Sequence, residues 1–100
     1  MVEEGVSPIQ NVLFYPNPLH SGSGYFTYDV AGEMSSAQIK VFSLGGRLVD
    51  EMTAEIREGY NQILWQAPTN LANGTYLYKI EAETAVGDRV GQTAVLQIAR

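Results

Sequence analysis

Apolar and polar residues alternate in short runs along nearly the whole chain. Glycine, asparagine and serine separate these runs about every ten residues, a spacing typical of β-sandwiches and barrels. No run places apolar residues at helical spacing between clear start and stop signals; the nearest, residues 52–57, is too short. The pattern predicts strands at residues 9–15, 25–30, 37–44, 47–54, 60–66, 74–85 and 89–99.

The same alternation predicts which side chains face the core, because successive side chains of a strand point to opposite faces. The expected core positions are Phe26, Tyr28, Val30, Ile39, Val41, Ile63, Trp65, Tyr76, Tyr78, Ile80 and Ala82. Gly45 and Gly46 separate the third and fourth runs and predict a hairpin, because tight hairpin turns need positive φ angles. The pattern as a whole predicts an all-β fold, an immunoglobulin-like seven-stranded antiparallel β-sandwich.

Composition and charge set the boundaries of this unit and its classes of partner. Residues 1–8 carry acid, glycine and proline and predict a linker, which leaves residues 9–100 as the sandwich domain. The formal net charge of −5 argues against nucleic acid or an anionic membrane surface as a partner, since both repel acidic proteins. The chain has no cysteine for disulfides or thiolate sites. No apolar run approaches the ~18–20 residues of a membrane span, so direct membrane insertion is not predicted.

Catalysis has one weak candidate in the sequence. The sole histidine, His20, lies beside Ser21 and Ser23, an arrangement that suggests a nucleophile with its base. No acid lies close in the sequence to orient the imidazole, and loop serines commonly form turns. The carboxylates are scattered, whereas a glycosidase needs two of them facing each other across a cleft. The chain is therefore predicted not to be an enzyme and to need no cofactor.

Two pairs of acidic residues offer oxygen ligands that calcium prefers, Asp29 with Glu33 and Asp50 with Glu51. Neither pair belongs to a calcium-loop pattern of alternating acids followed by a distant glutamate. Solvated surface positions account for these carboxylates better than ligation does. No metal site is predicted.

The segment Asn73-Gly74-Thr75 fits the acceptor pattern for N-glycosylation. Asn-Gly is also a common turn pair, and it falls where the strand pattern needs a turn. The turn is therefore the favoured interpretation. Tyr76 follows Gly74 by two residues and resembles the tyrosine corner of β-sandwiches.

Exposed aromatic rings raise the alternative of carbohydrate binding, because flat rings stack on sugars. Most of the aromatic residues alternate with polar neighbours in the manner of core positions. Tyr25 and Tyr60 fall on the more polar faces of their strands and are the two candidates for contact with a ligand.

The order of several short motifs carries a more specific signal than any one of them. They are Tyr15-Pro16-Asn17-Pro18, Phe26-Thr27-Tyr28, the run at residues 39–49 that contains Gly45-Gly46-Arg47, Gly59 with Asn61, Trp65, and residues 73–78. In this order the chain resembles the C-terminal sorting domain of type IX secretion cargo over about residues 12–100. It is also similar to the related immunoglobulin-like module of flagellar hook-capping proteins.

The resemblance implies a non-catalytic secretion signal at the end of an exported enzyme or adhesin. The implied partners are the outer-membrane secretion translocon, a sortase-like protease that removes the domain, and the N-terminal cargo domains of the parent chain. The implied route leads through the periplasm to the cell surface or the extracellular medium. Cleavage would fall in or near residues 4–8. An edge strand of such a module could pair with a strand of its receptor.

The resemblance also implies which residues carry the export signal. The candidates are Gly45, Gly46, Arg47, Ala94, Val95, Leu96, Gln97, Ile98, Ala99 and Arg100. Gln92 and Thr93 stand where the family often has a lysine. Two alternatives remain open: an accessory spacer or cell-adhesion module of an extracellular multidomain enzyme, or a carbohydrate-binding sandwich.

Overall fold

The computed structural model describes residues 8–54 and 56–100. This part of the chain forms seven strands: β1 (Ile9–Tyr15), β2 (Ser23–Val30), β3 (Met34–Ser43), β4 (Leu48–Thr53), β5 (Gly59–Gln66), β6 (Gly74–Thr84) and β7 (Arg89–Ile98). They build a three-stranded sheet in the order β1-β2-β5 and a four-stranded sheet in the order β4-β3-β6-β7. All neighbouring strands are antiparallel, which confirms the predicted immunoglobulin-like sandwich. The described residues include no helix long and apolar enough to cross a membrane.

The linker predicted at residues 1–8 lies outside the described residues except for Pro8. The strand bounds differ most from prediction at two starts. β2 begins at Ser23 because Ser23 and Gly24 already pair with β5, and β3 begins at Met34, which pairs with Thr84 of β6. Serine and glycine are typical of loops, but the backbone of any residue except proline can join a ladder when a neighbouring strand is present.

The core lies between the two sheets, and the predicted inward positions fill it with one exception. Of the eleven predicted core residues, ten are buried and one, Ile63, is partly buried and packs against the cluster. Phe14, Phe26, Trp65 and Tyr78 form the centre, with ring centroids 4.9 to 6.3 Å apart. Edge-to-face and tilted aromatic pairs at this distance add stabilisation beyond the area that they bury.

The β3–β4 hairpin uses one of its two glycines for the special backbone geometry. The Gly46 N–H donates to Ser43 O at 2.9 Å, and the Ser43 N–H donates to Arg47 O at 2.9 Å. Only Gly46 has a positive φ, 91°; Gly45 does not. The prediction that both glycines supply positive φ is therefore wrong, because a three-residue hairpin turn needs a left-handed residue only at its last position.

Stability at alkaline pH provides a test of the buried core. Tyr78 is 1% exposed, and its burial raises the pKa of the phenol to about 12 from a usual value of 10.0. Above pH 10 the unfolded chain loses this proton while the folded chain keeps it, so the free energy of unfolding falls as pH rises. We expect ionisation of this one phenol in the unfolded chain to lower the free energy of unfolding by about 1 kcal/mol between pH 9 and pH 11. Urea unfolding at both pH values measures the loss, and Tyr78→Phe should remove this part of it; an unchanged pH dependence in Tyr78→Phe would contradict the assignment.

Candidate functional site

The predicted export-signal residues of β7 divide between the two faces of their sheet. Leu96 and Ile98 are 0% and 2% exposed and belong to the core. Val95 and Gln97 point away from the core, and the Val95 side chain is 48% exposed. β7 pairs with β6 on one side and is the last strand of its sheet. In the folded domain, Leu96 and Ile98 therefore hold the strand in place, while Val95 and Gln97 are available to a partner.

The free edge of β7 is covered at its C-terminal half by residues 16–20, which we call the strap. Asn17 Oδ1 accepts a hydrogen bond from the Gln97 N–H at 3.0 Å, and Asn17 Nδ2 donates to Val95 O at 3.3 Å. The Leu19 N–H donates to Gln97 O at 2.7 Å, and the Ala99 N–H donates to Leu19 O at 2.9 Å. Leu19 is fully buried and forms a parallel bridge with Ile98. The strap therefore acts as a short parallel neighbour of β7.

The residues that follow β7 are also held by side chains. Asn73 Nδ2 donates to Arg100 O at 3.0 Å, and Asn73 Oδ1 accepts from the Arg100 N–H at 3.0 Å. The Arg100 guanidinium donates to the carbonyl oxygens of Pro68 at 3.0 Å and Leu71 at 2.9 Å. Arg100 thus folds back onto the loop at residues 67–73, and Asn73 fixes its backbone.

The same loop is tied to the core by Tyr76. Its hydroxyl donates to Ala72 O at 2.7 Å, four residues earlier in the chain. This is the hydrogen bond of a tyrosine corner, as the sequence suggested. The chain bends at Asn73, and Gly74, with a φ of 150°, is already the first residue of β6 and pairs with Ile98. The Asn73 amide bonds to Arg100.

The other predicted export segment, Gly45-Gly46-Arg47, lies at the same end of the four-stranded sheet. Ser43, which precedes this turn, pairs with Tyr76 of β6, and Tyr76 pairs with Leu96 of β7. Two strand spacings separate β3 from β7, about 10 Å. The fold therefore brings together two segments that are about fifty residues apart in the sequence. Their role in export stays a prediction.

The catalytic candidates His20 and Ser21 form hydrogen bonds with backbone oxygens. The His20 ring, through Nδ1, lies 2.9 Å from Ala99 O, and a proton on that nitrogen makes the hydrogen bond. The Ser21 hydroxyl donates to the backbone oxygen of Ser23 at 3.1 Å. Both side chains therefore contact backbone oxygens, one securing residue 99 and the other shaping a turn.

Two of the four carboxylates considered for calcium, those of Asp50 and Asp29, accept hydrogen bonds within the protein. Asp50 Oδ2 accepts from the Trp65 indole N–H at 2.7 Å, and Asp50 Oδ1 accepts from the Glu51 N–H at 2.9 Å. Asp29 accepts from Asn11 Nδ2 at 2.6 Å. Across residues 8–54 and 56–100, no three side chains of histidine or acidic residues come together in a way that could hold a metal ion.

Charged side chains on the outer face of the four-stranded sheet surround a shallow, open depression of about 300 Å³. Lys40 and Glu81 line it, with Lys40 Nζ 3.3 Å from Glu81 Oε1. Glu81 Oε2 also lies 3.8 Å from Lys79 Nζ. The hydrogen bond from Lys40 is the main cause that lowers the pKa of Glu81. These pairs are partly solvated, so each contributes little to stability.

The two tyrosines that suggested sugar binding do not form one platform. Tyr25 of β2 pairs with Leu64 of β5, whereas Tyr60 of β5 pairs with Asp29, which lies four residues after Tyr25 in β2. The two tyrosines are therefore about 13 Å apart along the strand direction. The Tyr25 ring instead stacks on Tyr15, with centroids 5.6 Å apart. Tyr60 is 60% exposed, and its hydroxyl donates to Gln62 Oε1.

Sequence reasoning assigned no role in the site to Asn17 or Asn73. The sequence does show that Asn17 lies between two prolines. Because proline has no backbone N–H, the Asn17 side chain is a candidate hydrogen-bond donor in that segment. At Asn73 the turn pattern was visible, but its partner, Arg100, is 27 residues away. Such long-range partners leave no local pattern.

Solved structures with a similar fold include CopC from Methylosinus trichosporium OB3b, with a TM-score of 0.59, 18% identity and coverage of 93% of each chain. An engineered protein from the Northeast Structural Genomics Consortium has a TM-score of 0.65 and 21% identity, and the match covers 89% of this chain but 20% of the engineered one. At these identities the likeness shows the fold alone. No curated protein matches the sequence.

The family comparison is more specific. The model of the secretion system C-terminal sorting domain, the type IX signal, matches residues 13–89. The match spans the motif at residues 15–18, the Gly-Gly-Arg hairpin and most of both sheets. This family consists of non-catalytic export signals. The match covers well over half of the sequence, and the chain therefore belongs to the family of type IX secretion system C-terminal sorting domains.

Proposed function

We propose that the type IX translocon recognises this domain through one end of its four-stranded sheet. The recognised surface consists of the outward side chains of Val95 and Gln97, the following residues Ala99 and Arg100, and the turn at residues 44–47. The family assigns the domain to export toward the cell surface or the extracellular medium. The proposal adds where on the sandwich the signal lies.

One observation carries this proposal: two segments far apart in sequence lie at the same end of one sheet. The register from β3 through β6 to β7 places Ser43, Tyr76 and Leu96 in one row. The side chains of Val95 and Gln97 remain exposed beside that row. A receptor of protein dimensions can contact both segments at once, because about 10 Å is well within a typical protein interface.

The proposal includes removal of the domain by a sortase-like protease after export. A cut within residues 4–8 would precede β1, which begins at Ile9. The sandwich would then separate from the N-terminal cargo domains without losing a strand. Cleavage sites are favoured in exposed segments between folded units, which is the expected nature of a linker.

The test is a fusion of residues 1–100 to the C-terminus of a fluorescent reporter that carries an ordinary export signal, expressed in a bacterium with a working type IX translocon. We expect the full fusion to reach the surface or the medium and a copy ending at Val95 to stay in the periplasm.

Gln97→Glu should lower export about tenfold, equivalent to about 1.4 kcal/mol of binding free energy to the translocon, because a new charge enters the recognised surface. Mass spectrometry of the exported reporter should find the domain removed.

Thr93→Glu provides the matched control, since Thr93 is exposed on the same strand and face but lies away from the signal end. It should be exported like the wild type. Equal loss of export in the two variants would contradict the placement of the signal. Retention of the folded wild-type fusion in the periplasm would instead favour a spacer or adhesion module, and an exported reporter that keeps the whole domain would contradict protease removal.

A further inference from the structure

The strap forms hydrogen bonds with the backbone groups on the outer edge of β7, where the proposed signal lies. Five backbone groups of Val95, Gln97 and Ala99 face this edge and bond to the strap: three carbonyl oxygens and the N–H groups of Gln97 and Ala99. A partner strand that paired with this half of β7 would have to displace the strap, including the buried side chain of Leu19. The strap therefore obstructs strand addition at this position.

The side chains of the same residues remain accessible while the strap is in place. Val95 is 48% exposed, and Gln97 and Ala99 are exposed as well. A partner can therefore contact the side chains on the outer face of the sheet without breaking any backbone hydrogen bond of the edge. The arrangement favours recognition of a folded strand over recognition of a released peptide.

Asn17 is suited to this role because its amide has the same groups as a peptide bond. One oxygen accepts from the Gln97 N–H and one N–H donates to Val95 O, as a peptide of a neighbouring strand would. An aspartate at this position would keep the acceptor but place a carboxylate beside the Val95 carbonyl. The prolines on either side have no N–H to offer in place of the side chain.

We propose that Asn17 is a positioning residue for the export signal, which holds residues 95–99 as a strand that the translocon reads through its side chains. This inference rests on the proposed sorting function. It assigns a task to the motif Tyr15-Pro16-Asn17-Pro18, and it specifies a partner surface that binds the face of a fixed strand rather than adding a strand to its edge.

The experiment uses Asn17→Ala and Asn17→Asp in the full fusion, with Gln10→Ala and Gln10→Glu as matched controls. Gln10 also carries an exposed amide, lies in β1, and is away from the strap. Hydrogen exchange of the isolated domain reports whether the strand is held, and the exported fraction of the fusion reports the signal. In Asn17→Ala the Gln97 amide should exchange about five- to tenfold faster, the factor expected for one or two lost hydrogen bonds.

The amides between β3 and β6 should keep their protection in Asn17→Ala, and export should fall severalfold. Both Gln10 variants should match the wild type. If Asn17→Ala loosens the whole sandwich, Asn17→Asp takes its place, because it retains the acceptor for the Gln97 N–H. Loss of protection throughout both Asn17 variants would show a general structural role and overturn the assignment.

Two further outcomes would also overturn it. Normal export of a variant whose Gln97 amide is freed would show that the strand need not be held. Increased export would show that the translocon displaces the strap and pairs with the edge. Retention of the wild-type fusion in the periplasm would refute both the sorting function and this inference. If the wild type is exported, normal or increased export of the Asn17 variant would refute this inference alone.

Discussion

Trp65→Ala is expected to lower the free energy of unfolding by about 4 kcal/mol, the cost of removing a large aromatic side chain from a packed core. Trp65 is 2% exposed, and its ring lies 5.8 Å from Phe14 and 5.6 Å from Phe26. Its indole N–H also donates to Asp50 across the sandwich, from β5 to β4. The total free energy of unfolding of a domain of this size is about 5–15 kcal/mol, so the variant should lose a large share of its stability.

Urea unfolding followed by far-ultraviolet circular dichroism measures the effect, because Trp65 is the sole tryptophan and its fluorescence is lost in the variant. Trp65→Phe separates the two contributions: it keeps an aromatic ring but removes the donor to Asp50. We expect the free energy of unfolding to fall by about 1–3 kcal/mol, because Asp50 Oδ2 loses its hydrogen-bond donor and the ring is smaller. A loss below about 2 kcal/mol in Trp65→Ala would contradict the central position assigned to this ring.

Gly24→Ala is expected to lower the free energy of unfolding by about 2 kcal/mol, because the core has no room for an added methyl group. A Cβ atom at Gly24 would meet Phe14 Cζ at 2.6 Å and the backbone oxygen of Tyr15 at 3.0 Å. Phe14 is itself packed against Phe26 at 4.9 Å, so its ring cannot move aside without disturbing the aromatic cluster. The backbone oxygen of Tyr15 belongs to the β1–β2 ladder and is equally constrained.

Gly22→Ala is the matched control two residues earlier. An added Cβ at Gly22 meets no atom within 4 Å. Its effect should stay within about 0.5 kcal/mol, as for most surface substitutions. The urea midpoints of the two variants, with the slope of the transition checked in each, give the comparison. Equal stability of Gly24→Ala and Gly22→Ala would mean that Phe14 does not occupy the space beside Gly24.

The strands were predictable because the physics that forms them is local. Side chains alternate between the faces of a strand, so one buried face imposes a period of two on the sequence. The run Tyr76, Tyr78, Ile80 and Ala82 shows this period, and all four side chains are buried. The strand starts at Ser23 and Met34 were missed, because there the pairing depends on a neighbouring strand and not on local composition.

The site was predictable only as a list of segments. Motif order indicated residues 45–47 and 94–100, but neither the distance between them nor the faces of their side chains followed from it. The inward position of Leu96 and the outward position of Gln97 depend on the register between β6 and β7. A shift of one residue would exchange the two faces, and the sequence of β7 alone does not set that register.

The sequence by itself determined that this chain forms a seven-stranded sandwich and belongs with secretion signals, because alternation and ordered motifs are properties of the linear chain. The tertiary structure alone decided how the end of β7 is held. Asn17 reaches Val95 and Gln97 across 78 and 80 residues, and Asn73 reaches Arg100 across 27. Such distant residues meet only because the fold brings their strands and loops together, so their hydrogen-bond partners are set by the fold and not by any local pattern.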